Sequence, residues 1–203
     1  MNTSGDSTIA LLDQAHGLQA TFDAQQAAVR RSGAPSYKER IASLDKLEHM
    51  VRDNCQKLLE TISMDFGNRS HTETKLGELM PILNSINHAR AHLKGWMRPH
   101  KRKVGIAFKP ASAQLVYQPL GVVGIMAPWN YPLTLTLVPL VEALAAGNRV
   151  IVKPSELTPL TAELLKELIG ATFARDQVTV IIGGPDLAAQ LSALPFDHLL
   201  FTG

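Results

Sequence analysis

Two short motifs place polar side chains directly after runs of apolar residues. Asn130 stands between Pro128 and Pro132, after the apolar segment 122–126. Because each proline fixes its own φ and restricts the residue before it, the loop is stiff. A side-chain amide on a stiff loop suits donation to a developing oxyanion, a role that can contribute about 3 kcal/mol. Asparagine is also common in turns, and loop composition alone favours that simpler interpretation.

The second motif pairs a cation with a carboxylate. Lys153 and Glu156 follow the apolar segment 150–152. A carboxylate at the end of such a strand can accept both hydroxyls of a ribose, and a nearby ammonium can donate to the same sugar. An exposed ion pair, or a carboxylate near a helix start, explains the spacing equally well. Trp129, beside the asparagine, is either a pocket wall or a packing residue.

Glycines follow the next two apolar segments. Gly183 and Gly184 come after residues 178–182, and Gly203 comes shortly after residues 198–201. Glycines at such positions let a ligand approach the backbone closely, although a plain turn explains Gly183 and Gly184 somewhat better. No complete G-x-G-x-x-G sequence occurs, so any dinucleotide is bound by another arrangement.

Three other groups are weaker candidates for chemistry. Cys55 lies in a helical pattern with no histidine or loop near it, which indicates a structural thiol. His88 and His92 are one helical turn apart, but no carboxylate completes a metalloprotease-like pattern, so a solvated face is favoured. The basic run 100–103 lacks interleaved aromatic residues and is interpreted as an exposed connector.

Composition excludes several classes of protein. The chain has 203 residues, of which 45% are hydrophobic and 19% charged, and its net charge is +2. These values are typical of a globular domain and give no indication of nucleic-acid binding. The most apolar segment, 133–146, is shorter than the roughly 20 residues of a membrane span and contains Glu142. With one cysteine and no signal-peptide pattern, we expect a cytoplasmic protein.

The polar motifs can act together only if the fold brings them to the same edge of a sheet. Short apolar segments alternate with helical patterns after residue 118, which predicts a parallel sheet covered on both faces. The fold class is therefore α/β, with N-terminal helices followed by part of a doubly wound sheet. The expected regions are a disordered N-terminus (1–8), a helical region (9–100), an extended hairpin (101–118) and a partial nucleotide-binding domain (119–203). Pro81 predicts a kink or a restart in its helix.

Taken in order, the motifs resemble those of the NAD(P)-dependent aldehyde dehydrogenase superfamily. The resemblance covers residues 36–203 and is nearest to the coniferyl aldehyde dehydrogenase and class 3 branch. It rests on the segments 128–132, 153–156, 183–184 and 196–203.

The resemblance implies a Rossmann-like fold and a role for each motif. Asn130 matches the oxyanion-hole amide, and Lys153 and Glu156 match the pair that contacts the adenosine ribose of NAD or NADP. The hairpin around 108–118 matches part of an oligomerisation arm, so a homodimer is expected, with a small-molecule aldehyde as substrate. Further expected cofactor contacts are Met126 and Ala127 (carbonyls), Trp129, Gly183, Gly184 and Gly203.

The sequence departs from the family pattern in its reactive groups. The family's catalytic cysteine and general-base glutamate belong to C-terminal segments that these residues do not include, and Cys55 does not match the nucleophile. We therefore expect the N-terminal part of a longer enzyme, inactive on its own because no thiolate can attack the aldehyde. Two alternatives remain: a non-catalytic nucleotide- or subunit-binding fragment, and a related reductase that acts on acyl phosphates. Glu156 favours NAD over NADP, since a carboxylate repels a 2′-phosphate, but the nearby Lys153 could offset this repulsion, so use of either cofactor stays open.

Overall fold

Helices occupy the first half of the chain. The computed structural model describes the backbone of residues 3–202 and the side chains of residues 17–202. The sequence predicts a kink or a restart of the helix near Pro81. The structure has a π-helical turn, Lys75–Leu79, immediately before the last helix of this half. The helices are α1 (Thr3–Ser32), α2 (Tyr37–Asp53), α3 (Cys55–Asp65), α4 (His71–Thr74) and α5 (Met80–Trp96).

Two features of this region differ from the sequence-based expectation. Helix α1 begins at Thr3, so the structure has helix where disorder was expected for residues 3–8. Once a helix exists, each added residue gains a hydrogen bond, which favours its extension. The sequence also predicts one helix from Ser36 to Gly67, but it divides at Asn54, whose side-chain amide donates to the carbonyl of Met50 at 2.8 Å. Residues 1, 2 and 203 lie outside the described part of the chain.

The second half alternates strands and helices as predicted. The strands of this half are β3 (Val122–Met126), β4 (Arg149–Lys153), β5 (Val178–Val180) and β6 (His198–Phe201). They form one parallel sheet in the order β5-β4-β3-β6, which confirms the predicted fold class. The connecting helices are α6 (Thr134–Ala146), α7 (Pro159–Thr172) and α8 (Pro185–Ser192).

Both faces of this sheet are covered by apolar side chains. Val123 and Ile125 of β3 join the larger core, which includes residues of α2, α3, α5, α6 and α7. Val122 and Met126 point to the other face and join a smaller core with residues of α1 and α8. This alternation follows from the two-residue period of a strand. It explains why β3 is apolar along its whole length.

Polar residues of the helical region also hold the ends of the sheet's helices. The Arg40 guanidinium is buried and donates to the carbonyls of Ala145 and Ala146, at 3.1 and 2.7 Å, where α6 ends. Asp65 accepts from the backbone amides of Leu160 and Thr161, at 3.1 and 2.8 Å, where α7 begins. The ends of a helix carry backbone groups without partners inside the helix, so these contacts fix its position.

A two-stranded antiparallel hairpin connects the two halves. Strands β1 (His100–Arg102) and β2 (Ala113–Leu115) pair, with His100 opposite Leu115. The basic run therefore forms a strand, where the sequence suggested a connector. Ile106 and Phe108, in the short 3₁₀ helix between the strands, are 86% and 70% exposed. The hairpin thus presents apolar side chains at its tip.

Gly121 gives a direct test of the junction that starts β3. Its φ is +139°, and an added Cβ would overlap the Asp197 carboxylate, which accepts from the amide of Val122 at 2.7 Å. We expect Gly121→Ala to lower the free energy of unfolding by about 1–3 kcal/mol in chemical denaturation. Gly170→Ala is the matched control, because nothing lies within 4 Å of its added Cβ in helix α7, and it should raise stability by about 0.5–1 kcal/mol. Equal effects of the two substitutions would show that Gly121 is not required at this junction.

Candidate active site

The two predicted motifs emerge side by side from the sheet. Strands β3 and β4 are parallel, with Met126 opposite Lys153, and the amide of Ala127 donates to the carbonyl of Lys153 at 3.0 Å. Strand β6 lies on the other side of β3, so the strand order reverses there. Ligands of open α/β sheets bind outside the carboxyl ends of strands, at such a reversal. The edge that carries both motifs is therefore the candidate active site.

Lys153 and Glu156 form a preformed pair at this edge. Lys153 is buried, with 4% of its surface exposed, and its Nζ lies 2.6 Å from Oε2 of Glu156. The same ammonium donates to the carbonyl of Pro154 at 3.2 Å. The side chain of Glu156 remains 39% exposed. A buried cation thus orients a carboxylate that is open to a hydroxyl-bearing ligand.

The Asn130 loop is held through its backbone and leaves its side chain accessible. The carbonyl of Asn130 accepts a hydrogen bond from Nη1 of Arg69 at 3.1 Å. Trp129, Asn130 and Tyr131 are all exposed, and no side chain among residues 17–202 hydrogen-bonds the Asn130 side-chain amide. That amide can therefore donate to an incoming oxygen atom.

Aromatic packing gives Trp129 a partner in the helical region. Its indole stacks on the ring of Phe66, with centroids 6.3 Å apart and planes inclined by 29°. The sequence suggested either a pocket wall or a packing residue, and this contact is packing. About half of the indole nonetheless remains exposed, at 51%. The same side chain can pack on one face and meet a ligand on its free surface.

A buried carboxylate fixes the start of the helix that follows this loop. Oε2 of Glu78 accepts from the backbone amides of Leu133 and Thr134, at 2.7 and 3.2 Å, and the side chain is fully buried. Its Oε1 lies 3.2 Å from Nη1 of Arg69. Burial raises the pKa of Glu78, while the two backbone hydrogen bonds and Arg69 act in the opposite direction. Helix α6 thus has its cap supplied by the π-helical turn instead of by its own residues.

The two motifs do not line a common cavity. A cavity of about 340 Å³ contacts Asn130 and Tyr131 on one side and Phe66 and Arg69 on the other. Lys153 and Glu156 do not line it. The sheet therefore brings the motifs to one edge without enclosing them in one cavity. A larger cavity, of about 580 Å³, lies near Arg40 and Asn148, away from this edge.

The backbone positions predicted to meet a cofactor differ in their availability. The carbonyl of Met126 accepts from the backbone amide of Thr202 at 3.2 Å and from its hydroxyl at 3.4 Å. No described residue donates to the carbonyl of Ala127. Of these two carbonyls, that of Ala127 is therefore the better placed to accept from a ligand.

The two glycines after β5 have different local roles. An added Cβ on Gly183 would overlap the side chain of Leu187, so this glycine is needed for the packing of α8. Nothing lies within 4 Å of an added Cβ on Gly184, which immediately precedes α8. Open space makes Gly184 the one of the pair that a ligand could approach. The predicted phosphate-facing turn at Gly203 lies outside the described residues.

Sequence reasoning missed four residues that shape the site: Phe66, Arg69, Glu78 and Tyr131. The first three belong to the helical region, and the hydrogen bond from Arg69 to Asn130 spans 61 residues of sequence. Local patterns carry no information about such long-range contacts. The available signal was Pro81, which predicts an irregularity in its helix. The irregularity is a π-helical turn, and such turns are frequent at functional sites.

Residues 17–202 contain no cluster of three or more His, Cys, Asp or Glu side chains that could hold a metal ion. In the same described part of the chain, no helix combines the length and the apolar character needed to cross a bilayer.

Comparison with known proteins identifies the family. The model of the aldehyde dehydrogenase family matches residues 7–203. A probable coniferyl aldehyde dehydrogenase of Pseudomonas aeruginosa is 50% identical over 186 residues, which are 92% of this chain and 39% of that protein. Aldehyde dehydrogenase family 3 member B1 of Rattus norvegicus is 39% identical over 164 residues, which are 81% of this chain and 35% of that protein.

Solved structures agree with this assignment. Substrate-bound AldH of Staphylococcus aureus shares 33% identity with a TM-score of 0.86, over 90% of this chain and 40% of that one. A Mycobacterium tuberculosis aldehyde dehydrogenase complexed with NAD+ has 24% identity and a TM-score of 0.77, over 91% of this chain and 38% of that one, and shows the shared fold.

The chain belongs to the aldehyde dehydrogenase family. The resemblance predicted from its motifs, including the coniferyl aldehyde and class 3 branch, is confirmed. The chain spans about two fifths of the length of the curated relatives it matches.

The Lys153–Glu156 pair is expected to make the stability of the fold depend on pH. Hydrogen bonding from Lys153 lowers the pKa of Glu156 below its ordinary value of 4.5. A lowered folded-state pKa means that the pair stabilises the fold above pH 4.5 and loses this effect as the pH falls through the folded-state pKa. We expect Lys153→Met to raise the pKa of Glu156 towards its ordinary value in a carboxyl NMR titration. Glu39, whose pKa is lowered by Ser36, is the internal control and should not change. An unaltered Glu156 titration would reject the pairing.

Proposed function

We propose that the chain is the N-terminal part of an oxidoreductase that converts an aldehyde to a carboxylic acid with NAD(P). The substrate class is an aromatic or aliphatic aldehyde, with coniferyl aldehyde favoured by the relatives of that name. One observation carries the proposal: the in-register ends of β3 and β4 bring an accessible amide and an oriented carboxylate to the same sheet edge.

The groups at this edge fit a nicotinamide dinucleotide. The Glu156 carboxylate accepts from ribose hydroxyls, while the buried Lys153 ammonium keeps it ionised and oriented. The carbonyl of Ala127 and the open backbone at Gly184 offer further contacts along the edge. When bound, the nicotinamide supplies the hydride acceptor for the oxidation.

Asn130 acts on the substrate side of the same edge. As an aldehyde carbon is attacked, its oxygen becomes negative, and the Asn130 amide donates a hydrogen bond to that oxygen. A donor held on a fixed loop needs little reorganisation when charge develops. The exposed part of Trp129, the residue before Asn130, offers an aromatic surface for the cofactor.

The nucleophile and the general base are proposed to come from outside residues 1–203. Cys55 is the first residue of α3 and packs partly buried against the larger core. Phe66, which contacts the Asn130 loop through Trp129, lies at the other end of this 11-residue helix, roughly 16 Å away. Helix α3 thus places Cys55 at the end far from the Phe66–Trp129 contact, which supports a nucleophile from outside these residues.

This division of the site can be tested with the isolated 203 residues. We expect no aldehyde oxidation by this chain and normal turnover by the full-length enzyme that contains it. Cys55→Ser in the full-length enzyme should leave turnover unchanged. Activity of the 203 residues that disappears with Cys55→Ser would overturn the proposal. Strong NAD binding without any activity in the full-length protein would favour a non-catalytic nucleotide-binding role.

Homodimer formation and a cytoplasmic location remain predictions. The exposed Ile106 and Phe108, which stand close together at the hairpin tip, support the first, because grouped exposed apolar side chains mark interaction surfaces.

Asn130→Ala tests the oxyanion role. In the full-length enzyme we expect kcat to fall about 10²–10³-fold, since one donor to the oxyanion is removed. Asn87→Ala, at an exposed position of α5, is the matched control and should leave kcat unchanged. Turnover by Asn130→Ala equal to that of the control would remove Asn130 from the mechanism.

Glu156→Gln tests the cofactor side. Loss of the carboxylate removes repulsion of a 2′-phosphate, so the kcat/KM ratio of NADP to NAD should rise by about tenfold or more. The comparison uses both cofactors at saturating aldehyde. A ratio that does not change would separate Glu156 from the adenosine ribose.

A further inference from the structure

Arg69, a residue of the helical region, hydrogen-bonds the loop that carries Asn130. It lies in the connection between α3 and α4, and its side chain is only 6% exposed. Its Nη1 donates to the backbone carbonyl of Asn130 at 3.1 Å. This carbonyl belongs to the same residue whose side-chain amide is proposed to meet the oxyanion.

The Arg69 guanidinium lies over two aromatic rings. Its central carbon lies 4.9 Å from the centroid of Phe66 and 4.6 Å from that of Tyr131. Cation–π attraction of this kind strengthens when the cation is withdrawn from water, as Arg69 is. Because Tyr131 directly follows Asn130, one side chain fixes both the carbonyl of Asn130 and the ring of the next residue.

Two carboxylates hold the guanidinium itself. Nη1 of Arg69 lies 3.2 Å from Oε1 of Glu78, and its Nε lies 3.2 Å from Oε1 of Glu73. Glu78 in turn accepts the amides of Leu133 and Thr134. The loop 128–134 is therefore held on both sides of Pro132 by one network, in which Arg69 and Glu78 are buried and Glu73 is exposed.

We propose that Arg69 is a positioning residue that sets the direction of the Asn130 side-chain amide. The proposal rests on the oxyanion role assigned above. With the Asn130 carbonyl bonded to Arg69 and the Tyr131 ring packed against the guanidinium, the peptide plane between the two residues is oriented, which restricts the directions that the Asn130 side chain can take. A misplacement of about 1 Å in such a group can cost about 10²-fold in rate.

A double-mutant cycle in the full-length enzyme tests this role. Arg69→Met should lower kcat by about 10- to 100-fold and change the KM for the aldehyde by less than about threefold. In an Asn130→Ala background the same substitution should lower kcat by less than about twofold, because the amide it positions is absent. Arg52→Met, which removes an exposed ion pair with Glu48, is the control and should have no effect.

Arg69→Lys keeps the proposal testable if Arg69→Met does not fold, as judged by circular dichroism. Lysine retains a charge beside Glu78 but loses the planar stack and the fork of donors, so kcat should fall by an intermediate factor. Equal losses of kcat with and without Asn130 would overturn the positioning role, as would an unchanged kcat in a folded Arg69 variant. If Asn130→Ala alone leaves kcat unchanged, the oxyanion assignment fails first and the positioning role of Arg69 fails with it.

Discussion

The buried carboxylate of Glu78 is the constraint on which the site depends. It is fully buried, yet it accepts two backbone amides at the start of α6 and lies beside Arg69. An isolated buried charge costs several kcal/mol, and here the two amide hydrogen bonds to Oε2 and the nearby Arg69 guanidinium offset part of that cost. The carboxylate therefore ties the π-helical turn to the first turn of α6. The Asn130 loop, between β3 and α6, is the segment that this tie holds in place.

The helical region and the sheet consequently act as one unit. Besides Glu78, the region supplies Asp65 to the start of α7 and Arg40 to the end of α6. The starts of α6 and α7 lie at the carboxyl edge of the sheet, directly after the two motifs. Helix starts have unpaired amides, and anionic side chains are favoured there by both hydrogen bonding and the helix dipole. Two carboxylates from one region thus set the positions of both loops that form the candidate site.

The sequence predicts the sheet and the edge well because their determinants are local. Runs such as 122–126 are apolar throughout, which is typical of a parallel strand buried on both faces, and parallel strands place their following loops together. Other determinants are not local. The contact of Arg69 with Asn130 and that of Glu78 with Leu133 join residues 61 and 55 positions apart. The division between α2 and α3 at Asn54 could not be predicted either, because the helical spacing of apolar residues continues through it.

The central claim is that Asn130 and the Lys153–Glu156 pair serve one nucleotide and one aldehyde. A crystal structure of the full-length enzyme with NAD and an aldehyde-derived adduct tests it most directly. We expect Nδ2 of Asn130 to lie about 2.7–3.1 Å from the former carbonyl oxygen. We also expect Glu156 to accept from the adenosine ribose hydroxyls. An adduct oxygen that meets other donors, with the ribose remote from Glu156, would contradict this claim.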